Sequence, residues 1–268
     1  MTYRNAKKTI FLFILLAFCG GYIFNVLVTN NAKKNLPSTV LKKQNEYRQS
    51  ESPVDFQAYA NSTVINGIQL ERISSGSLTV SSGSLLVSDP FYIKEPFSTP
   101  LTKNIPPGKY PVFLSVLNHP SWSKRVAFLR VEIAPKKTVR WEKARQTPPQ
   151  TQTDDETTYD GTIMVDSGLI SVMDAKTGSI MASQMDTFQR DNPKGSFFDQ
   201  YLENLFDPDG LWAVFTPQGS TVGNSIIVSS GIGDGAYNVY WGFDDTNAIS
   251  ELIIDFQLFE NGKCVLDS

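Results

Sequence analysis

Carboxylates are the reactive groups that this 268-residue sequence offers in number, and Asp89, Asp166, Asp174, Asp234 and Asp255 are the five from which a pair could be drawn. Two carboxyls suffice for glycoside hydrolysis, provided that they converge in a cleft within about 5–10 Å of each other. The rest of the reactive inventory is thin. His119 is the single histidine, so histidine triads and multi-histidine metal sites have at most one imidazole to work with. It stands just before Pro120 in a connection between two strands, where a surface histidine without a role is the plainer account. Ser121-Trp122-Ser123-Lys124 matches S-x-x-K and Lys176-Thr177-Gly178 matches K-T-G, two elements of penicillin-recognising enzymes. The serine falls in a hairpin connection, the S-D-N element is missing and the chain is short for that fold, so turns between strands account for both matches.

Two further stretches imitate binding loops without completing them. Asp207-Pro208-Asp209-Gly210 begins like a calcium loop but lacks the D-x-[DN]-x-[DN]-G spacing and the distal glutamate, and a helix-terminating turn explains it. Gly231-Ile232-Gly233-Asp234-Gly235 lacks the G-x-G-x-x-G spacing and a following helix, so a tight or bulged hairpin loop accounts for it better than a phosphate cradle. Asp255 sits between Ile253, Ile254 and Phe256, where a charge needs a partner if buried, and Arg130 or Arg140 is the expected one. No cofactor and no metal is implied. The candidate binding residues are Asp234, Tyr237, Tyr240, Trp241 and Asp255. Trp122, Tyr237, Tyr240 and Trp241 read either as core plugs, the plainer account of aromatics near loops, or as interface anchors.

The elements that position these residues are mostly strands. Leu70, Ile73, Leu78, Val80 and then Leu85–Val87 form short β-type runs separated by Ser-Gly-Ser and Ser-Ser-Gly turns. Asp89-Pro90 ends the last of them, because the residue before proline is pushed away from helix. Tyr110–Val116 and Val126–Ile133 pair as a hairpin across the connection Asn118–Lys124. Gly161–Val165 and Leu169–Met173 flank a turn at Asp166-Ser167-Gly168. Phe197, Phe198, Tyr201, Leu202 and Leu205 fall on one helical face between Asn192-Pro193 and Asp207-Pro208. Ser225–Ser229, Tyr237–Phe243 and Ile249–Phe259 complete the pattern. The expected fold class is α+β, a mainly antiparallel β-sheet with one or two helices, built as one globular domain over 54–268 with a flexible loop at 145–160.

Ahead of that domain lies an apolar run from Ile10 to Val28, preceded by Arg4, Lys7 and Lys8. Its nineteen residues span roughly 28 Å as a helix, close to the hydrocarbon thickness of a bilayer. A cleaved signal peptide needs an apolar core of only about 7–15 residues, and Phe18 precedes Cys19 where a lipoprotein box wants a small residue. An uncleaved signal-anchor fits best: a basic tail at 1–8, a single-pass transmembrane helix at 9–29 in contact with membrane lipid, and a polar tether at 30–53. Lysines lie on both sides of the run, but a short amino-terminal tail usually stays inside, which places the domain outside the cytoplasm. Cys264 is the sole thiol beyond the run, so the domain holds no internal disulfide.

Charge is unevenly shared. Residues 1–50 carry eight Lys/Arg against one Glu, 51–145 twelve against seven, and 146–268 four against nineteen, a net of −15 for the last segment. Phosphates would be repelled by that half, so electrostatics disfavours it as a nucleic-acid surface and no nucleic-acid partner is expected. The plainer account is an acidic solvated surface; the sharper one is complementarity to a basic protein partner.

Several stretches occur in a distinctive order: Gly83–Pro90, Ile105–Leu114, Arg125-Val126-Ala127, Val139–Glu142, Val165–Gly168, Met173-Asp174-Ala175, Ser229–Gly242 and Ile254-Asp255-Phe256. Together they resemble the bacterial family called domain of unknown function 4241, over roughly residues 65–260. Ile232 stands where an aromatic residue is usual in that family. The resemblance implies a bacterial origin and an integral domain, and it carries no catalytic residues. Two functions follow as expectations. The first is a membrane-anchored envelope protein that binds another protein, immunity-like or accessory. The second is a carboxylate-based hydrolase acting on a cell-envelope or sugar substrate.

Overall fold

Alternation of apolar and polar residues with period two runs through most of the chain, and it produces two antiparallel sheets. The computed structural model describes residues 62–148, 159–260 and 263–267. The expected transmembrane helix at 9–29, the tether at 30–53 and the middle of the 145–160 loop lie outside these residues. Among the described residues no helix is long and apolar enough to cross a membrane. All belong to one unit bounded by Val54–Ser268.

The larger sheet contains eight strands: β1 (Val64–Ile65), β2 (Ile68–Val80), β4 (Gly108–His119), β5 (Ser123–Glu132), β6 (Arg140–Lys143), β7 (Thr162–Val165), β11 (Gly235–Phe243) and β12 (Ile249–Asp255). Their order is β1-β2-β4-β5-β12-β11-β6, with β7 also pairing with β11. The smaller sheet runs β3 (Leu85–Ser88), β8 (Leu169–Asp174), β10 (Ser225–Ser229) and β9 (Trp212–Phe215), in that spatial order. A hairpin of β13 (Phe259–Glu260) and β14 (Lys263–Cys264) is followed by a 3₁₀ turn at Val265–Asp267, the last of the described residues.

The two sheets bury a common core. Tyr110, Val112, Leu114 and Val116 on β4 point into it while the residues between them are half-exposed, the pattern of a strand with one wet face. Ile170 and Val172 of β8 and Ile226 and Val228 of β10 meet them from the smaller sheet. The far face of the smaller sheet carries Leu86, Met173 and Ile227, covered by α1 (Ala175–Asp191) through Met181, Ala182 and Phe188. The far face of the larger sheet is covered in part by Leu258, Phe259, Cys264 and Leu266, which pack against Ile65, Leu70, Leu117 and Phe128.

The α+β class and the antiparallel pairing therefore hold, and several local expectations need correction. The runs between Leu70 and Val80 are one continuous strand; Gly76 (φ 100°) absorbs a β-bulge where a turn was expected. Lys176-Thr177-Gly178 lies in the first turn of α1 and does not link strands. The expected helix from Phe197 is a π-turn at Phe198–Leu202 followed by a 3₁₀ turn at Glu203–Leu205, which still buries Phe197 and Leu202. Gly231–Gly235 crosses from β10 in one sheet to β11 in the other, so it is no hairpin loop.

Candidate functional site

Three loops meet at one end of the sandwich: the turn after β3 (88–92), the β7–β8 turn (166–168) and the β10–β11 crossover (230–234). Asp89 organises the first two. It is 1% exposed, and both its oxygens are used. Oδ1 accepts from the Phe91 N–H at 2.9 Å and the Ser167 hydroxyl at 2.8 Å, and Oδ2 from the N–H groups of Asp166 at 3.0 Å and Ser167 at 2.9 Å. Burial pushes its carboxyl above the usual range, and these four donors only partly offset that. A carboxylate saturated in this way positions backbone and has no free face for chemistry.

The crossover is held from below. The Tyr237 ring is buried, and its hydroxyl donates toward the carbonyls of Gly233 at 2.7 Å and Ser230 at 3.1 Å. The N–H of Ser230 donates to the Gly168 carbonyl at 3.0 Å, which ties the crossover to the β7–β8 turn. Gly168 adopts φ 67°, a left-handed conformation that suits glycine, and its N–H reaches the Asp234 carboxylate.

The outcome is a pair of exposed carboxylates, Asp166 and Asp234, fixed on adjoining loops. Asp166 accepts from the Tyr92 hydroxyl at 2.7 Å. Burial, that hydrogen bond and the charges of Asp166, Asp89 and Glu95 all hold the Tyr92 phenol protonated well beyond its usual range. The Asp234 carboxyl is raised by partial burial and by the charge of Asp166, against the lowering effect of the Gly168 N–H, with Asp89 adding a smaller like-charge repulsion. Beside them Ile232 is 53% and Met164 51% exposed. Met164 and Asp166 are two residues apart at the end of β7 and share its outer side by alternation. Two small concavities occur among the described residues: about 30 Å³ between Val87, Gln146 and Met164, next to this face, and about 40 Å³ beside Arg72, Phe113 and Arg130. They hold water-sized occupants.

The remaining expected residues divide differently. Asp174 is fully buried and caps α1, accepting from Lys176 N–H at 2.8 Å, from Ser81 and Ser82 N–H at 2.7 and 2.6 Å, and from the Ser82 hydroxyl at 2.8 Å. Asp255, half-buried at the end of β12, accepts from the Gln257 N–H at 2.8 Å. Burial pushes its carboxyl up to about 7. The expected arginine partners are engaged elsewhere: Arg130 with Glu251 and Glu132, and Arg140 with Glu142 and Asn247.

Tyr237, Tyr240 and Trp241 are 3%, 4% and 0% exposed, so none of them is an interface anchor. β11 is covered on both faces, which leaves no wet side for them to occupy. Trp122 is exposed at the β4–β5 tip and is not part of the three loops around Asp166. His119 ends β4 and is bonded to Asp267, in place of an idle position in the connection. Tyr92, Ser167 and Gly168 enter the site without having been singled out. No spacing rule marks them, because each is recruited by a loop distant in sequence.

The chain belongs to the family described as "Protein of unknown function (DUF4241)", whose model matches residues 78–254 and takes in all three loops. Comparison with curated proteins and with solved structures finds no match.

Proposed function

We propose that this member of the family is a membrane-anchored binding module of the bacterial envelope, and that the face displaying Asp166 and Asp234 receives a basic segment of a protein partner. The observation that carries the reading is the fixing of those two carboxylates. The buried Asp89 and Tyr237 hold the loops that present them, with Ile232 and Met164 adding apolar contact area at their side. A preset charged rim beside exposed apolar side chains is the composition of a recognition surface. The acidic carboxyl-terminal half supplies a wider field that steers a cationic partner. The apolar run at 9–29 supplies the anchor, with the domain on the extracytoplasmic side in an immunity-like or accessory role.

Affinity capture by the full-length chain from solubilised membranes tests this. The expected result is a specific protein retained at low salt, released as ionic strength rises, and lost with the charge reversal Asp166→Lys/Asp234→Lys. Retention that is indifferent to both treatments contradicts it. Alkaline phosphatase fused after Lys43 tests the orientation: an active fusion is expected, and an inactive one places the domain in the cytoplasm.

One observation favours the second reading, a carboxylate-based hydrolase. The raised Asp234 carboxyl stands near a second carboxylate, as a general acid does beside its partner. Turnover of envelope glycan fragments, abolished by Asp234→Asn, would establish that reading; absence of turnover is expected if the face only binds.

A further inference from the structure

A second cluster lies where the end of the described chain meets the β4–β5 tip, and neither the binding face nor the family match accounts for it. His119, Cys264 and Asp267 bring an imidazole nitrogen, a thiol sulfur and a carboxylate oxygen within 4.8 Å of one another. The His119 Nε2 to Asp267 Oδ1 separation is 2.9 Å. The His119 side chain is only 10% exposed, Cys264 is 5% exposed, and the Asp267 side chain, 62% exposed, opens the group to solvent. Cys264 and Asp267 fall beyond residue 254, where the family match ends.

We propose that these three side chains form a site for a zinc-type divalent cation, which fastens the segment carrying Cys264 and Asp267 to the β4–β5 hairpin. The donor set is the reason for the metal class. One nitrogen, one thiolate sulfur and one carboxylate oxygen suit a borderline cation, and the hard cations magnesium and calcium seek oxygen alone. Distances agree. Tetrahedral bonds of about 2.0–2.3 Å put neighbouring donors about 3.3–3.7 Å apart, inside the range from 2.9 to 4.8 Å that these atoms span. Three protein ligands leave a fourth position for water on the side that Asp267 opens.

Loading moves protons in a defined way. In the metal-free arrangement Nδ1 of His119 accepts from the N–H groups of Ser121 at 3.2 Å and Trp122 at 3.3 Å, so the ring proton resides on Nε2 and points at Asp267. Metal at Nε2 shifts that proton to Nδ1, and the Cys264 thiol releases its proton to solvent as it becomes a thiolate. The two long bonds from Ser121 and Trp122 then open, because donors would face a donor. The 119–122 turn must therefore rearrange when the metal binds, with Trp122 as its reporter.

Cobalt(II) is the probe, used on the full-length chain without a histidine tag and with Cys19→Ser, which leaves Cys264 the sole thiol. The expected result is a thiolate-to-cobalt absorption band that saturates at one equivalent, is erased by equimolar zinc, and is accompanied by a change in Trp122 fluorescence that Trp122→Phe removes. Zinc should raise Tm with the logarithm of its concentration. Cys264→Ser should lose the band, and His119→Gln and Asp267→Asn should each weaken binding at least tenfold. Two results overturn the site: no band and no zinc-dependent Tm in a chain whose metal-free Tm matches that of Cys264→Ser, or a band that persists unweakened in both His119→Gln and Asp267→Asn.

Discussion

The buried carboxylate of Asp89 accepts the backbone N–H of Asp166 at 3.0 Å, so a hidden aspartate sets the position of a displayed one. This relationship makes Asp89 a positioning residue. Asp89→Ala leaves four part-buried donors without their acceptor, which costs on the order of 3 kcal/mol. Chemical denaturation should register that loss, and hydrogen exchange at Asp166 and Ser167 should quicken before global unfolding. Asp166→Asn removes displayed charge and should leave stability within about 0.5 kcal/mol of the parent.

Tyr237 plays the matching part for the crossover. Tyr237→Phe keeps the buried ring and removes the hydroxyl that donates toward the carbonyls of Gly233 and Ser230. The expected loss is about 1–2 kcal/mol, with the increase in backbone mobility confined to 230–234. A stability loss spread evenly over the sheet would show that the hydroxyl does not hold the loop.

Asp174 and Asp255 give stability opposite slopes in pH. Burial alone would raise the Asp174 carboxyl, but the hydrogen bonds from Ser82, Lys176 and Ser81 overcome it and hold the group below its usual 3.8. Its contribution is present above that value and is lost as pH falls through the folded one, so Asp174→Asn should flatten the acid limb of the stability profile. The Asp255 carboxyl, at about 7 in the folded state against 3.8 ordinarily, keeps a proton that the unfolded chain has released. Wild-type stability therefore falls as pH rises from about 4 to 7 on account of this residue. Asp255→Asn should be near neutral at pH 4 and stabilising by on the order of 2 kcal/mol at pH 8, where a half-buried charge has been removed. Denaturation curves at both pH values measure the difference, and an effect independent of pH would contradict it.

The strands were legible because their wet faces alternate: β4 reads in, out, in, out from Tyr110 to Val116, and its hairpin with β5 follows. Helix α1 was not, and the cause lies at its contact with the sheet. Gly178 faces Leu86 so closely that an added Cβ would lie 2.7 Å from Leu86 Cδ2, and Thr177 and Ala182 are also on the buried side. Small and polar residues there erase the apolar stripe by which a helix is recognised. The aromatics of β11 are core plugs, the plainer of their two readings, and their candidacy as binding residues falls for a related reason. A strand covered on both faces has no alternation, and Tyr237, Tyr240 and Trp241 in such a run belong to the core. Five aspartates were singled out by sequence; the fold brings three of them to one end and gives Asp174 and Asp255 separate structural tasks.

The central claim is that the face around Asp166 and Asp234 meets a protein. Site-specific photo-crosslinking from position 232 of the full-length chain in native membranes tests it most directly, with position 205 on the Glu203–Leu205 turn, also an exposed apolar position, as control. The account predicts one discrete protein adduct from position 232, none from 205, and loss of the adduct with Asp166→Lys/Asp234→Lys. An adduct from 205 with none from 232, or one from 232 that survives charge reversal unchanged, contradicts it.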